Sequence, residues 1–135
     1  MFGIEHLRPG QLEVIAAIRS SDDVLTVMPT GAGKSLCYQL PAVASGGLTL
    51  VVSPLVALMD DQVAALRARA VPAAAIHGLR SSAENAAALR RALQGRLALL
   101  YVAPERLAAL PAACLRPPGP LRCVVVDEAH CIVDW

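Results

Sequence analysis

Val24-Leu25-Thr26-Val27-Met28, running straight into Pro29-Thr30-Gly31-Ala32-Gly33-Lys34-Ser35, is the stretch on which the fold turns. An aliphatic run of strand length that breaks into a glycine-rich bend and then opens a helix has the layout of a phosphate-binding loop. The glycines let consecutive backbone N–H groups curl around an anion, and the helix N-terminus adds its dipole. The lysine reaches the terminal phosphates, and the hydroxyl serves Mg2+. Met28 stands where the strict pattern G-x-x-x-x-G-K-[ST] has glycine, and the plain alternative is a Gly-rich turn without a ligand. Composition favours the loop: eleven of the twelve basic residues are arginine, and the single lysine is Lys34, in the slot that calls for a compact ammonium rather than a planar fork.

Outward from that loop, the periodicity switches repeatedly between short aliphatic runs and longer amphipathic stretches, the pattern of an α/β domain with a mainly parallel sheet and helices on both faces. Strands are predicted near Val24–Met28, Leu48–Val52, Ala73–Ile76, Leu97–Val102 and Arg122–Val126, their apolar continuity implying burial on both faces. Helices are predicted over Pro9–Ser20, Lys34–Ala44 with a kink at Pro41, Leu55–Ala70 and Ser82–Gln94, with a short turn over Pro104–Leu110. Ser81 and Glu84 fit a capping box. Pro111–Pro120 is expected to be a loop.

At 135 residues the chain is one small domain, and 56% hydrophobic against 17% charged residues places it among chains that collapse rather than stay disordered. The net charge of +1 carries no bulk argument for a polyanionic partner. No long uninterrupted apolar run suggests a membrane span, and the N-terminus lacks the form of a signal peptide, so a cytoplasmic location (bacterial-type cytoplasm or nucleoid) is the expectation. Cys37, Cys114, Cys123 and Cys131 show no CxxC pair, which points to reduced thiols and no structural zinc in this segment.

A second candidate site is Val124-Val125-Val126-Asp127-Glu128-Ala129-His130. An apolar strand ending in two adjacent acids sets both carboxylates at the carboxyl edge of the sheet, where open α/β folds bind ligands. Asp127 there would hold Mg2+, and Glu128 would orient and deprotonate the water that attacks a γ-phosphate. Either acid could instead be a simple helix cap.

Taken in order, Phe2-Gly3 with Arg8-Pro9-Gly10-Gln11, then MPTGAGKSLCYQLPA, VVSPLVALMDDQ, YVAPERL and VVVDEAHCIVDW resemble the N-terminal motor half of RecQ-type superfamily 2 DNA helicases along the whole chain. The resemblance implies a RecA-like P-loop NTPase fold, incomplete at its C-terminal end, and an ATP-dependent 3′-to-5′ DNA helicase using ATP and Mg2+. It implies that Arg8 and Gln11 read adenine, with Ile4 in place of the usual stacking aromatic. Met28, Pro29, Thr30, Gly31, Ala32, Gly33, Lys34 and Ser35 would cradle the phosphates, and Ser35 and Asp127 would hold the metal. Lys34, Asp127 and Glu128 form the catalytic set. Ser53, Pro54 and Gln62 match a segment that touches the DNA backbone, as do Pro104, Glu105 and Arg106. His130 and Trp135 match residues that couple the ATP site to DNA, the partner being single-stranded or partly duplex DNA. Asp60 stands where relatives often carry lysine or a neutral residue, which weakens the electrostatic hold.

Against those roles stand plainer ones. Leu55, Val56, Leu58, Val63 and Leu66 lie at helical spacing and are expected to pack on the sheet. Arg67, Arg69, Arg90 and Arg91 are expected on solvated helix faces, and His77 in a loop without a partner. The third-motif strand, the second RecA-like domain with its arginine finger, and the zinc-binding and winged-helix modules of the resembled family have no counterpart in residues 1–135. On that basis the chain alone is expected to bind ATP and Mg2+ weakly and not to unwind DNA, an arginine finger being worth on the order of 10³–10⁵ in rate. Competing readings are a non-catalytic nucleotide- or DNA-binding fragment of a degenerate helicase and a small kinase. The SPL and PERL segments speak against the kinase.

Overall fold

The computed structural model describes residues 7, 10–20, 23–28, 33–115 and 120–129. Ile4, Arg8, Pro29, Thr30, Gly31, Ala32, His130, Cys131 and Trp135 lie outside the described residues. The chain divides into two compact units, Met1–Ser45 and Gly46–Trp135.

In the first unit, α1 (Gln11–Arg19) starts at Gly10, whose φ of 87° is left-handed and suits glycine. It packs against α2 (Lys34–Ser45), which runs through Pro41. The strand predicted over Val24–Met28 does not form: these residues take part in no ladder among the described residues, and Leu25 and Val27 are 87% and 91% exposed. Valine and leucine supply β propensity, but a strand exists only through a neighbour that pairs with it.

The second unit carries a four-stranded parallel sheet in the order β2-β3-β1-β4, built from β1 (Leu48–Val52), β2 (Ala73–Ile76), β3 (Leu99–Val102) and β4 (Leu121–Val126). Joining them are α3 (Val56–Ala68), α4 (Ser82–Leu93), a 3₁₀ turn over Pro104–Ala109 and the short α5 (Ala112–Leu115). Stepping from β1 to β2 runs across the sheet in one direction, and stepping from β2 to β3 to β4 runs back. Right-handed crossovers therefore put α3 on one face and α4 and α5 on the other. The α4 face holds Leu48, Leu50, Ala74, Ile76, Leu100 and Val102 packed with Ala88, Ala92, Leu110 and Cys114. Each fully buried aliphatic side chain there is worth about 1.5–3 kcal/mol of transfer free energy.

Several local expectations need correction. The strands β1, β2 and β3 are buried along their whole length, but β4 alternates between half-buried and exposed residues, the pattern of a strand covered on one face. Val124 and Val126 are 52% and 40% exposed. Within Pro111–Pro120, Ala112–Leu115 closes one helical turn. On α3, Val63 and Leu66 are buried as expected and Val56 is half-buried, but Leu55 and Leu58 are exposed and Met59 is buried in place of Leu58. At the β1–β4 pairing, Leu48 meets Leu121 and Thr49 meets Cys123, which leaves Arg122 as a bulged residue. Its side-chain stem crosses Gly47, where a Cβ would collide with it.

Candidate functional site

In the first unit the phosphate-loop residues that are described gather around one peptide. Gly33 has φ of 77°, a left-handed conformation that turns the chain into the helix beginning at Lys34. Its carbonyl accepts two hydrogen bonds, from the buried Gln11 Nε2 at 3.0 Å and from the Cys37 Sγ at 3.8 Å. Burial pushes the Cys37 thiol up, so it keeps the proton that it donates. Lys34 and Ser35 then occupy the first two positions of a twelve-residue helix, the end at which the helix dipole favours an anion. These groups fit a triphosphate, and the Ser35 hydroxyl is a hard oxygen donor suited to Mg2+. Gln11, Gly33, Lys34 and Ser35 are thus brought together by α1 and α2; Met28 precedes them in an unpaired segment.

The second unit ends all four strands flush. Ile76 pairs with Val102, Val102 with Val52, and Val52 with Val126, so the next residues share one edge. Across the sheet these are His77, Ala103, Ser53 and Asp127, stitched by Ala103 N to Ile76 O at 3.0 Å, Ser53 N to Val102 O at 3.2 Å and Asp127 N to Val52 O at 2.9 Å. Asp127 and Glu128 follow β4 directly. Asp127 Oδ1 accepts from the Glu128 N–H at 3.0 Å, and Glu128 has φ of 54°, an uncommon conformation for a non-glycine residue. Both acids are half-buried. Ser53 is buried, and its hydroxyl accepts from the Leu55 N–H at 3.4 Å. Pro54, Gln62, Pro104 and Arg106 are partly exposed, and Glu105 is exposed. The segments after β1, β3 and β4 thereby share one edge of the sheet.

A polar cluster that the sequence does not announce lies at the same edge. His77 is 1% exposed, against its expected place as a partnerless loop residue. Its Nδ1 accepts from the Leu79 N–H at 3.2 Å, which leaves the ring proton on Nε2 to donate to Asp60 Oδ1 at 3.0 Å. Arg80 donates to the same oxygen from Nη2 at 3.0 Å and from Nε at 3.3 Å, and reaches Glu84 Oε2 from Nη1 at 3.3 Å. Partial burial opposes ionisation of Asp60, but the hydrogen bonds from His77 and Arg80, with the Arg80 charge, outweigh it and hold the carboxyl below its ordinary value of 3.8. Asn85 doubles as a strand mimic: its Oδ1 accepts from His77 N at 3.3 Å and its Nδ2 donates to His77 O at 3.1 Å. No spacing rule signals this cluster, because Asp60, His77 and Asn85 sit on a helix, a loop and another helix.

The family model described as DEAD/DEAH box helicase matches residues 8–135. The chain belongs to the DEAD/DEAH box helicases. It is 47% identical over 137 residues to the ATP-dependent DNA helicase RecQ of Synechocystis sp., a match that covers all of this chain and 29% of that protein. It is 42% identical over 135 residues to the ATP-dependent DNA helicase RecQ of Haemophilus influenzae, covering all of this chain and 22% of that protein. The chain therefore spans about a quarter of the length of these curated relatives. A solved structure described as a hypothetical ATP-dependent RNA helicase from Sulfolobus tokodaii superposes with a TM-score of 0.77 over 98% of this chain and 40% of that one, at 20% identity, which is a likeness of fold. The RecQ-type resemblance carried by the motifs and the RecA-like α/β fold both hold.

Within this helicase family frame, the described residues contain no helix long and apolar enough to cross a membrane and no cluster of three or more metal-ligating side chains. Cys37, Cys114 and Cys123 are free thiols. Arg67 departs from the expectation of a purely solvated face, since its Nε donates to Ala73 O at 2.9 Å.

Proposed function

We propose that this chain is the ATP-binding part of a RecQ-like 3′-to-5′ DNA helicase, in which Lys34 and Ser35 bind the nucleotide phosphates and the flush carboxyl edge of the sheet carries both the catalytic acids and the DNA-facing segments. That edge supports the reading most directly: Ser53, Ala103 and Asp127 are neighbours in the ladder, so a shift at the acids is felt one strand away at the backbone-contacting loops. The Lys34 ammonium neutralises terminal phosphate charge, and the N–H groups opening α2 hold the phosphate chain in place. Gln11 and Arg8 select the base, with Gln11 also bonded to the loop carbonyl at Gly33. Glu128 takes the proton of the attacking water, and Asp127, hydrogen-bonded to the Glu128 N–H, fixes the orientation of that residue. Ser35 and Asp127 are the residues that would hold magnesium, which would supply charge neutralisation at the phosphates.

Ser53, Pro54 and Gln62 on one side and Pro104, Glu105 and Arg106 on the other contact the phosphodiester backbone of single-stranded or partly duplex DNA, which gives affinity without sequence reading. His130 and Trp135 relay nucleotide state to that surface. The site of action is the bacterial-type cytoplasm or nucleoid. By itself the chain binds ATP weakly and turns it over slowly, because an arginine finger has to come from a second motor domain. ATP hydrolysis measured with and without single-stranded DNA, beside Lys34→Ala and Glu128→Gln, tests this. DNA-stimulated turnover lost in both variants, with nucleotide binding lost only in Lys34→Ala, is the expected result. Nucleotide binding with no turnover under any condition would assign the chain to the non-catalytic module instead.

A further inference from the structure

The carboxylate of Asp60 gathers the loop between β2 and α4 onto α3. Two side chains of that loop, His77 and Arg80, converge on one oxygen, Asp60 Oδ1, at 3.0 Å each. The buried His77 ring also shapes the loop from inside by accepting the Leu79 N–H at 3.2 Å. On the other side of the loop lies the 3₁₀ turn after β3: a Cβ placed on Gly78 would stand 3.9 Å from Arg106 Nη2. The loop is therefore bonded to α3, which carries Gln62, and lies beside the segment that carries Arg106. The Asp60 side chain is 43% exposed, yet its charge is directed at Arg80 within the protein rather than outward.

We infer that Asp60, His77 and Arg80 are positioning residues that lock α3 and the β2–α4 loop in the arrangement that meets a nucleic-acid backbone. The inference rests on the proposed nucleic-acid role of Ser53, Gln62 and Arg106. It reverses the simple electrostatic expectation for an acid on this surface. A bare carboxylate repels phosphates, so its removal tightens binding. A carboxylate that fixes α3 against the loop beside the Arg106 segment lowers the entropy lost on binding, so its removal weakens binding although the surface becomes more positive.

The sign of the change decides the matter. Asp60→Ala, at a partly exposed helical position where alanine raises helix propensity, keeps the fold. The 135-residue chain is titrated into a dye-labelled single-stranded oligonucleotide at fixed salt and followed by fluorescence anisotropy, with amide hydrogen exchange at Leu79 as the direct readout of the loop. Asp60→Ala is expected to raise Kd about threefold, the scale of a partly exposed ion pair, and to speed Leu79 exchange. Asp60→Asn, which keeps an acceptor for His77 Nε2, falls between the variant and the wild type. A Kd that falls or stays constant in Asp60→Ala, while Gln62→Ala raises it, overturns the positioning role and leaves the nucleic-acid reading standing. Wild-type binding that is undetectable or unmoved by Gln62→Ala overturns that reading and the positioning role with it.

Discussion

Exchanging Ala70 for glycine is expected to stabilise the chain, and exchanging Gly95 for alanine to destabilise it by a similar amount. The helices α3 and α4 end in the same way. After α3, Ala70 N donates to Arg67 O at 3.0 Å and Val71 N to Leu66 O at 3.0 Å; after α4, Gly95 N donates to Ala92 O at 3.1 Å and Arg96 N to Arg91 O at 2.9 Å. Both turns need a left-handed residue, with φ of 61° at Ala70 and 71° at Gly95. An L side chain in that region costs about 1–2 kcal/mol, and the greater freedom of glycine in the unfolded chain takes back about 0.4–1 kcal/mol. The Ala70 methyl is exposed, so little burial is lost with it. A Cβ on Gly95 meets nothing within 4 Å, so no clash adds to the conformational term. The net is about 0.5–1 kcal/mol in each direction, or about 2–4 °C in Tm for a domain of this size. Urea denaturation followed by circular dichroism of the two single variants and the double variant measures it, with the double expected near the wild type. Shifts of the same sign in both single variants, or a loss of stability in Ala70→Gly, would refute the reasoning.

Acid titration carries a second expectation. The Asp60 carboxyl is held below 3.8 in the folded chain, so its contribution to stability is complete above the unfolded value and is lost as pH falls through the lower folded value. The stability gap between wild type and Asp60→Asn should therefore narrow from about pH 5 to about pH 2 and not on the alkaline side, as read from urea midpoints. Asn85→Ala removes two hydrogen bonds to the His77 backbone, each worth about 1 kcal/mol, against a gain of about 0.6 kcal/mol in helix propensity. A net loss of about 1.5 kcal/mol is expected in the same denaturation assay, and a neutral result would mean that water replaces Asn85. Val124→Lys, at an exposed position of β4, should leave stability within about 0.5 kcal/mol by urea midpoint; a larger loss would mean that Val124 is packed rather than exposed.

Features that depend on neighbours in the chain were legible from the residues alone. The capping box at the start of α4 forms as Ser81 and Glu84 imply, with Glu84 N donating to Ser81 Oγ at 3.1 Å, although the Glu84 carboxylate takes the Ser81 hydroxyl at 3.2 Å. Leu48–Val52 and Ala73–Ile76 are strands with the expected bounds. The acids after β4 sit at the carboxyl edge because a parallel ladder in register leaves them nowhere else. What escaped depends on partners distant in the chain. Val24–Met28 has the composition of a strand and pairs with none among the described residues, and the valines of β4 resemble those of β1 although only those of β1 are buried on both faces. Met59 rather than Leu58 is buried on α3 because the angle at which a helix meets the sheet is a property of both surfaces. His77 became a core residue through Asp60, 17 positions earlier, a pairing that no local pattern encodes.

The two flanks of the sheet are treated differently. Along β2, Arg67 takes the Ala73 carbonyl and Asn85 takes both backbone groups of His77, so side chains of the chain itself occupy places a visiting strand would use. Along β4, Val124 and Val126 stand bare. The β2 flank is thus shut by side chains reaching over from the flanking helices, so among the described residues its outward carbonyls and amides are already spoken for.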